Sequence, residues 1–193
     1  IEPKSIKDVI NDSCLNIDLK ELTNSESPEI LIAGCGTGQH AITTASKYKK
    51  SKILALDLSF KSLSYAKRKA NELKINNIDF IQGDILDLES IDRKFDIIES
   101  VGVLHHMDNP FKGWKILTSC LNNDSLMLIG LYSEKARQHI IEIKNKINKL
   151  KLQSNYKNII KFRKDLIENN DNHLNYIQSS PDFYTVSGIR AVS

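Results

Sequence analysis

The chain has 193 residues, 40% of them hydrophobic, which suits one domain with a sizeable core, or one domain plus an incomplete second piece. Its 27 Lys and Arg against 24 Asp and Glu leave a formal net charge of +3, too small to point to nucleic acid or a membrane surface as a partner. No apolar run approaches the roughly 18 residues of a membrane-crossing helix.

Cys14, Cys35 and Cys120 are an odd set without a close pair, so neither a disulfide framework nor a metal site is expected. The opening Ile1-Glu2-Pro3-Lys4 has no initiator Met and no apolar leader core; the expectation is a fragment of a cytoplasmic protein. Residues 1–28 form a helical lead-in. Ile6, Val9 and Ile10 space one or two helical turns, expected to pack on a sheet edge, and Leu15, Ile17, Leu19 and Leu22 follow. Asn24 to Pro28 is turn chemistry.

Ile30-Leu31-Ile32-Ala33 then runs into Gly34, Gly36 and Gly38. A short apolar run bounded by glycine predicts a strand buried on both faces, as in a parallel sheet. The glycines let the backbone turn sharply and approach a ligand closely, and the N–H groups opening the next helix are free to bind a polar group. Cys35 reads as a small residue filling the turn rather than a nucleophile. Residues 39–50 predict a helix with Ala41, Ile42 and Ala45 inward.

Residues 52–57 are a second apolar strand ending in Asp57, and residues 60–74 a helix with Leu63, Ala66, Ala70 and Leu73 on one face. A carboxylate at that strand end, roughly 20 residues past the glycine loop, suits ribose hydroxyls; it is also where a helix cap falls. Residues 78–82 are a third strand, followed by Gly83-Asp84-Ile85, and residues 94–100 a fourth, ending at Ser100 before a loop with Leu104-His105-His106. A helix over 110–121 opens with Pro110, Asn122 to Asp124 turn the chain, and residues 126–131 are a fifth strand. Strands alternating with helices predict a parallel sheet covered on both faces, with strands one and four flanking the switch point. Gly34, Gly36, Gly38, Asp57, Asp84 and Ser100 all fall at carboxyl ends of strands there.

From Ser133, taken as the N-cap, a helix is expected to about Leu152, with Ile140, Ile141, Ile143, Ile147 and Leu150 inward. Its lysines read as a solvated face on an amphipathic helix covering the sheet. A second helix is expected near 155–169, a polar loop over 169–175 and a short helix capped within 180–185. The expected division is a helical lead-in over 1–28, a binding domain over 29–153 and a helical extension or incomplete insertion over 154–193.

The glycine spacing here is G-x-G-x-G, with the third glycine one place earlier than in the dinucleotide fingerprint. Together with Asp57, Gly83-Asp84-Ile85 and the Phe95 to Met107 stretch, it resembles the class I S-adenosylmethionine (SAM) methyltransferases of the type 11 group. That resemblance implies a Rossmann-like α/β fold, SAM as cofactor and methyl transfer to a small-molecule acceptor. It implies contacts to SAM from Gly34, Gly36, Gly38, Asp57, Leu58, Asp84, Ile85 and Ser100, with Asp84 on the adenine amino group and the Ile85 N–H against the ring. His105 and His106 are candidates for a proton-accepting role near the crevice.

The runs 33–40, 101–107 and 132–134 are also similar to bacterial proteins that join such a domain to tetratricopeptide repeats, which would lie outside these residues. Two positions depart from the family. Ile32 stands where a carboxylate two residues before the first loop glycine helps to place the methionine end of SAM, and no pair of edge strands follows residue 132. Two other functions fit the same fold class: a non-catalytic interaction module, and an NAD(P)-dependent oxidoreductase, against which the glycine spacing and Asp84 both argue.

Overall fold

The central strand of the sheet is β1 (Glu29–Ala33), whose four apolar residues Ile30 to Ala33 are each 1% exposed or less. In this computed structural model, residues 2–13, 26–133, 135–152, 155–169 and 171–178 are described. Cys14, Leu15, Ile17, Leu19, Leu22, Asn24, Ser25 and the helix expected within 180–185 lie outside them. The chain divides into two compact units, Ile1–Leu131 and Tyr132–Ser193.

In the first unit, β2 (Lys52–Asp57), β3 (Ile78–Gln82), β4 (Phe95–Val101) and β5 (Leu121–Gly130) join β1 in one sheet of order β3-β2-β1-β4-β5. All four pairings are parallel. The chain therefore reverses its direction of travel between β1 and β4, as the sequence predicts. Among the described residues the sheet ends at β5.

Alternating side chains divide the core between two faces. On one, Ile30, Ile32, Ile53, Ala55 and Ile97 meet Ala41 and Ala45 of α2 (Gln39–Lys47) and Leu63 of α3 (Phe60–Glu72). Ile6 and Ile10 of the short α1 (Ile6–Asn11) are buried in that cluster too, where an edge position is expected from sequence. On the other face, Leu31, Ala33, Leu54, Leu56 and Ile98 meet Ile116 and Leu117 of α4 (Pro110–Ser119) and Leu88 of the 3₁₀ turn Ile85–Ser90.

Leu117 is completely buried. Leu117→Ala should lower unfolding free energy by about 2–5 kcal/mol, since the cavity refills only in part. The denaturation midpoint checks this.

Buried Asp96 fastens the amino ends of three strands: one oxygen accepts the Glu29 N–H at 2.9 Å and the other the Asn122 side-chain amide at 2.9 Å. Asn122 to Asp124, expected as a turn, lie inside β5. Pairing there passes from Phe95–Leu121 to Ile97–Leu126, so the strand bulges, and Asp124 takes φ +56°. A tight polar cluster has the composition of a turn whether or not its flanks pair with the same neighbour. Leu73, expected inward, caps α3 and is 59% exposed.

The second unit packs Ile143 and Ile147 of α5 (Gln138–Lys149), Phe162 and Leu166 of α6 (Tyr156–Glu168) and Leu174 of α7 (Leu174–Gln178) into its own core. Lys144, Lys149 and Lys151 are exposed, as an amphipathic helix requires. An ion pair from Lys146 to Asp171 ties α5 to the residues before α7. Three expectations shift here. A 3₁₀ turn, Lys135–Arg137, precedes α5, so the helix begins later than the Ser133 cap implied. Leu150 is exposed. Leu174 and Asn175, read as polar loop, open α7.

Candidate active site

The glycine loop is held to β2 by backbone and side chain together. Gly34 N–H and Cys35 N–H both donate to the Leu56 carbonyl, at 2.8 and 2.9 Å. Gly36 N–H donates to Asp57 Oδ2 at 2.7 Å, and Asp57 Oδ1 accepts the Ser59 N–H at 2.8 Å just before α3 begins. Asp57 thus fixes both the helix entry and the loop, and each carboxylate oxygen retains a lone pair.

Gly34 and Gly38 take φ of +82° and +86°. A Cβ on Gly34 would stand 2.3 Å from Val103 Cγ2, and one on Gly38 2.5 Å from Ala66 Cβ. The first glycine therefore admits the loop after β4, and the third lets α2 pack on α3. A Cβ on Gly36 would meet nothing within 4 Å; that side of the loop is open.

Beside the loop lies a cavity of about 460 Å³, within the range of small-molecule sites. Of the residues expected from sequence, Gly34, Asp57, Leu58, Asp84, Ile85 and His106 line it. Asp84 is oriented by the turn it starts, with Oδ1 accepting the Leu86 N–H at 2.9 Å. Leu58, 67% exposed, Ile85, Val103 and Met107 give the cavity apolar walls. Asp108 and Lys112, which no sequence signal singled out, complete its polar lining.

Gly36, Gly38, Ser100 and His105 do not line the cavity. Ser100 is 1% exposed, and its hydroxyl has no hydrogen-bond partner among the described residues. His105 touches His106, with their Nε2 atoms 3.1 Å apart, so one ring donates while the other accepts. Cys35 is buried, and burial, reinforced by the Asp57 charge, pushes its thiol up to about 12. The thiolate a nucleophile needs does not form near neutral pH.

A further polar cluster lies under α2. Glu99, 5% exposed on β4, accepts the Thr44 hydroxyl at 2.7 Å, and His40 Nε2 stands 2.8 Å from the same oxygen, Oε2. Burial pushes the Glu99 carboxyl up, but His40 and Thr44 more than offset this and hold it below its ordinary 4.5. The Glu99 contact in turn raises His40 above 6.5, against burial and Lys47.

A depressed acid stabilises the fold above its unfolded value and loses that as pH falls through the folded one; a raised base stabilises below its unfolded value and loses that as pH rises. The pair therefore supports the fold most between about pH 4.5 and 6.5. His40→Gln should cost more stability at pH 6 than at pH 8. Urea midpoints of both proteins across that range check it.

The methyltransferase domain family matches residues 25–175. The chain belongs to this family. An uncharacterized protein of Synechococcus is 33% identical over 121 residues, covering 62% of this chain and 29% of that protein. The probable (S)-tetrahydroprotoberberine N-methyltransferase 2 of Papaver bracteatum is 32% identical over 113 residues, covering 58% of this chain and 31% of the enzyme. Among solved structures, PKMT2 from Rickettsia typhi in complex with AdoHcy is similar over 93% of this chain and 34% of that one, at TM-score 0.64 and 25% identity. The chain thus spans about three tenths of the length of the curated relatives it matches. No helix among the described residues is long and apolar enough to cross a membrane.

Proposed function

We propose that this methyltransferase domain binds SAM in the cavity beside the glycine loop and transfers its methyl group to a small-molecule acceptor. The observation that carries the reading is the convergence of Gly34, Asp57, Asp84 and Ile85, from the ends of three successive strands, on one cavity. Its chemistry fits the cofactor. Asp57 offers acceptors to ribose hydroxyls, Asp84 an acceptor to the adenine amino group, and Leu58, Ile85 and Met107 apolar surface to the ring. The open side of Gly36 leaves room at the loop.

Bound SAM supplies a methyl group already activated on a positively charged sulfur. The protein's own contribution is then alignment and exclusion of water. Val103 and Met107 give the loop after β4 an apolar face toward the cavity, and His106 beside them is placed to take a proton from the acceptor. His105 acts through its contact with His106. The N-methyltransferase name of the Papaver relative supports a small nitrogenous acceptor.

Calorimetric titration of the protein with SAM, and separately with NADH, tests the reading. Micromolar SAM binding is the expected result. NADH binding in its place, or no SAM binding by folded protein, would refute it.

A further inference from the structure

Gly113 is the fourth residue of α4, and it is buried. Unlike Gly34 and Gly38, it has no left-handed backbone to account for it, and glycine inside a helix is unfavourable relative to alanine. What accounts for it is space. A Cβ there would stand 2.5 Å from Met107 Sδ, 3.0 Å from Met107 Cε and 3.1 Å from Leu104 Cδ2. The missing side chain leaves a notch in the helix, and the end of Met107 fills it.

Met107 therefore belongs to two places at once. It lines the SAM cavity, and its sulfur and methyl lie over Gly113. Leu104 is completely buried in the cluster that holds Ile116 and Leu117 of the same helix, so it has nowhere to retreat from a new methyl. The first turn of α4 is pinned as well, since Asn109 caps it by accepting the Lys112 N–H at 3.1 Å. Met107 is the part that yields. Its chain is unbranched, with three rotatable bonds, it is only partly buried, and the empty space it already borders is the cavity.

Resting on the SAM reading above, we infer that Gly113 is a positioning residue for the cofactor: its notch receives the Met107 thioether and so keeps the adenine end of the cavity open. Gly113 touches no ligand and acts through Met107. Gly113→Ala would turn Met107 into the space the adenine ring needs. The fold itself would be little affected, because the displaced atoms are the far end of a flexible chain and alanine is the better helix former.

Calorimetric titration with S-adenosylhomocysteine tests this in wild-type protein, Gly113→Ala, Met107→Ala and the double variant. Gly113→Ala should bind about tenfold more weakly than wild type or worse, with an unfolding midpoint close to that of the wild type. In the Met107→Ala background the same glycine change should leave affinity unaltered, because no thioether remains to displace. A merely structural role for Gly113 would move stability and would not give that rescue. Full affinity in folded Gly113→Ala would overturn the inference, as would a loss that persists without Met107. If Gly113→Ala does not fold, methyl NMR of the wild-type protein decides. A nuclear Overhauser contact between the Met107 methyl and Gly113 Hα is expected with and without S-adenosylhomocysteine, and its absence from the complex would overturn the assignment. Wild-type protein that binds no S-adenosylhomocysteine would overturn the SAM reading itself, and this inference with it.

Discussion

Asp57→Ala should weaken SAM binding at least tenfold, a loss of about 1.4 kcal/mol or more, and should also loosen the loop that forms the site. The two effects have one cause: the carboxylate that faces the cavity accepts the N–H groups of Gly36 and Ser59. Hydrogen bonds to a charged group contribute about 1.5–3 kcal/mol each, and a donor left without its acceptor bears a desolvation cost if no water reaches it. Asp57→Asn separates the two effects. The amide oxygen keeps one backbone contact, so stability should fall less than in the alanine variant, while ribose recognition loses the negative charge. Titration calorimetry reads the affinity and thermal unfolding the stability. Alanine at 57 with unchanged SAM affinity would place the ribose elsewhere.

Gly34→Ala should be the most damaging single-methyl change in the first unit. Its Cβ would lie 2.3 Å from one Val103 methyl and 2.7 Å from the other, and a β-branched side chain has little rotamer freedom with which to retreat. Overpacking of this kind costs about 1–3 kcal/mol, and left-handed backbone adds about 1–2 kcal/mol for a residue with a Cβ. Gly36→Ala is the control. At φ +53° with nothing within 4 Å of the new methyl, it bears the backbone cost alone and should unfold well above Gly34→Ala. Equal melting temperatures for the two variants would show that the contact with Val103 relaxes freely.

The sheet was legible because each strand carries its own signal. β1 and β2 are apolar on both faces, as a strand covered on both sides can be, and glycine or carboxylate marks their carboxyl ends where the site forms. The cavity residues Asp57, Leu58, Asp84 and Ile85 follow from those ends. Glu99 could not be found this way. Its contacts with Thr44 and His40 depend on how β4 lies under α2, and the packing of elements distant in sequence is set by tertiary structure. His40 likewise reads as one more polar residue at a helix start until Glu99 is placed beneath it. The bulge over Asn122 to Asp124 was hidden for a related reason, since turn composition says nothing about whether the flanking residues pair with the same neighbour. Asp108 and Lys112 reach the cavity through the path of a loop, which has no period to read. In the second unit, the exposure of Leu150 and the helix opening at Leu174 follow from where the short helices turn, and the amphipathic pattern does not fix that.

Cys35 gives the glycine loop a built-in clock. The residue is 6% exposed and its thiol holds its proton at neutral pH, so a thiol reagent reaches it mainly in the moments when the loop lifts away from β2. If closing is fast, the alkylation rate at this residue measures how often the loop opens, in the way that amide exchange measures local unfolding. A ligand bound against the loop would slow that clock by the fraction of time it occupies the site, with no acceptor and no turnover required.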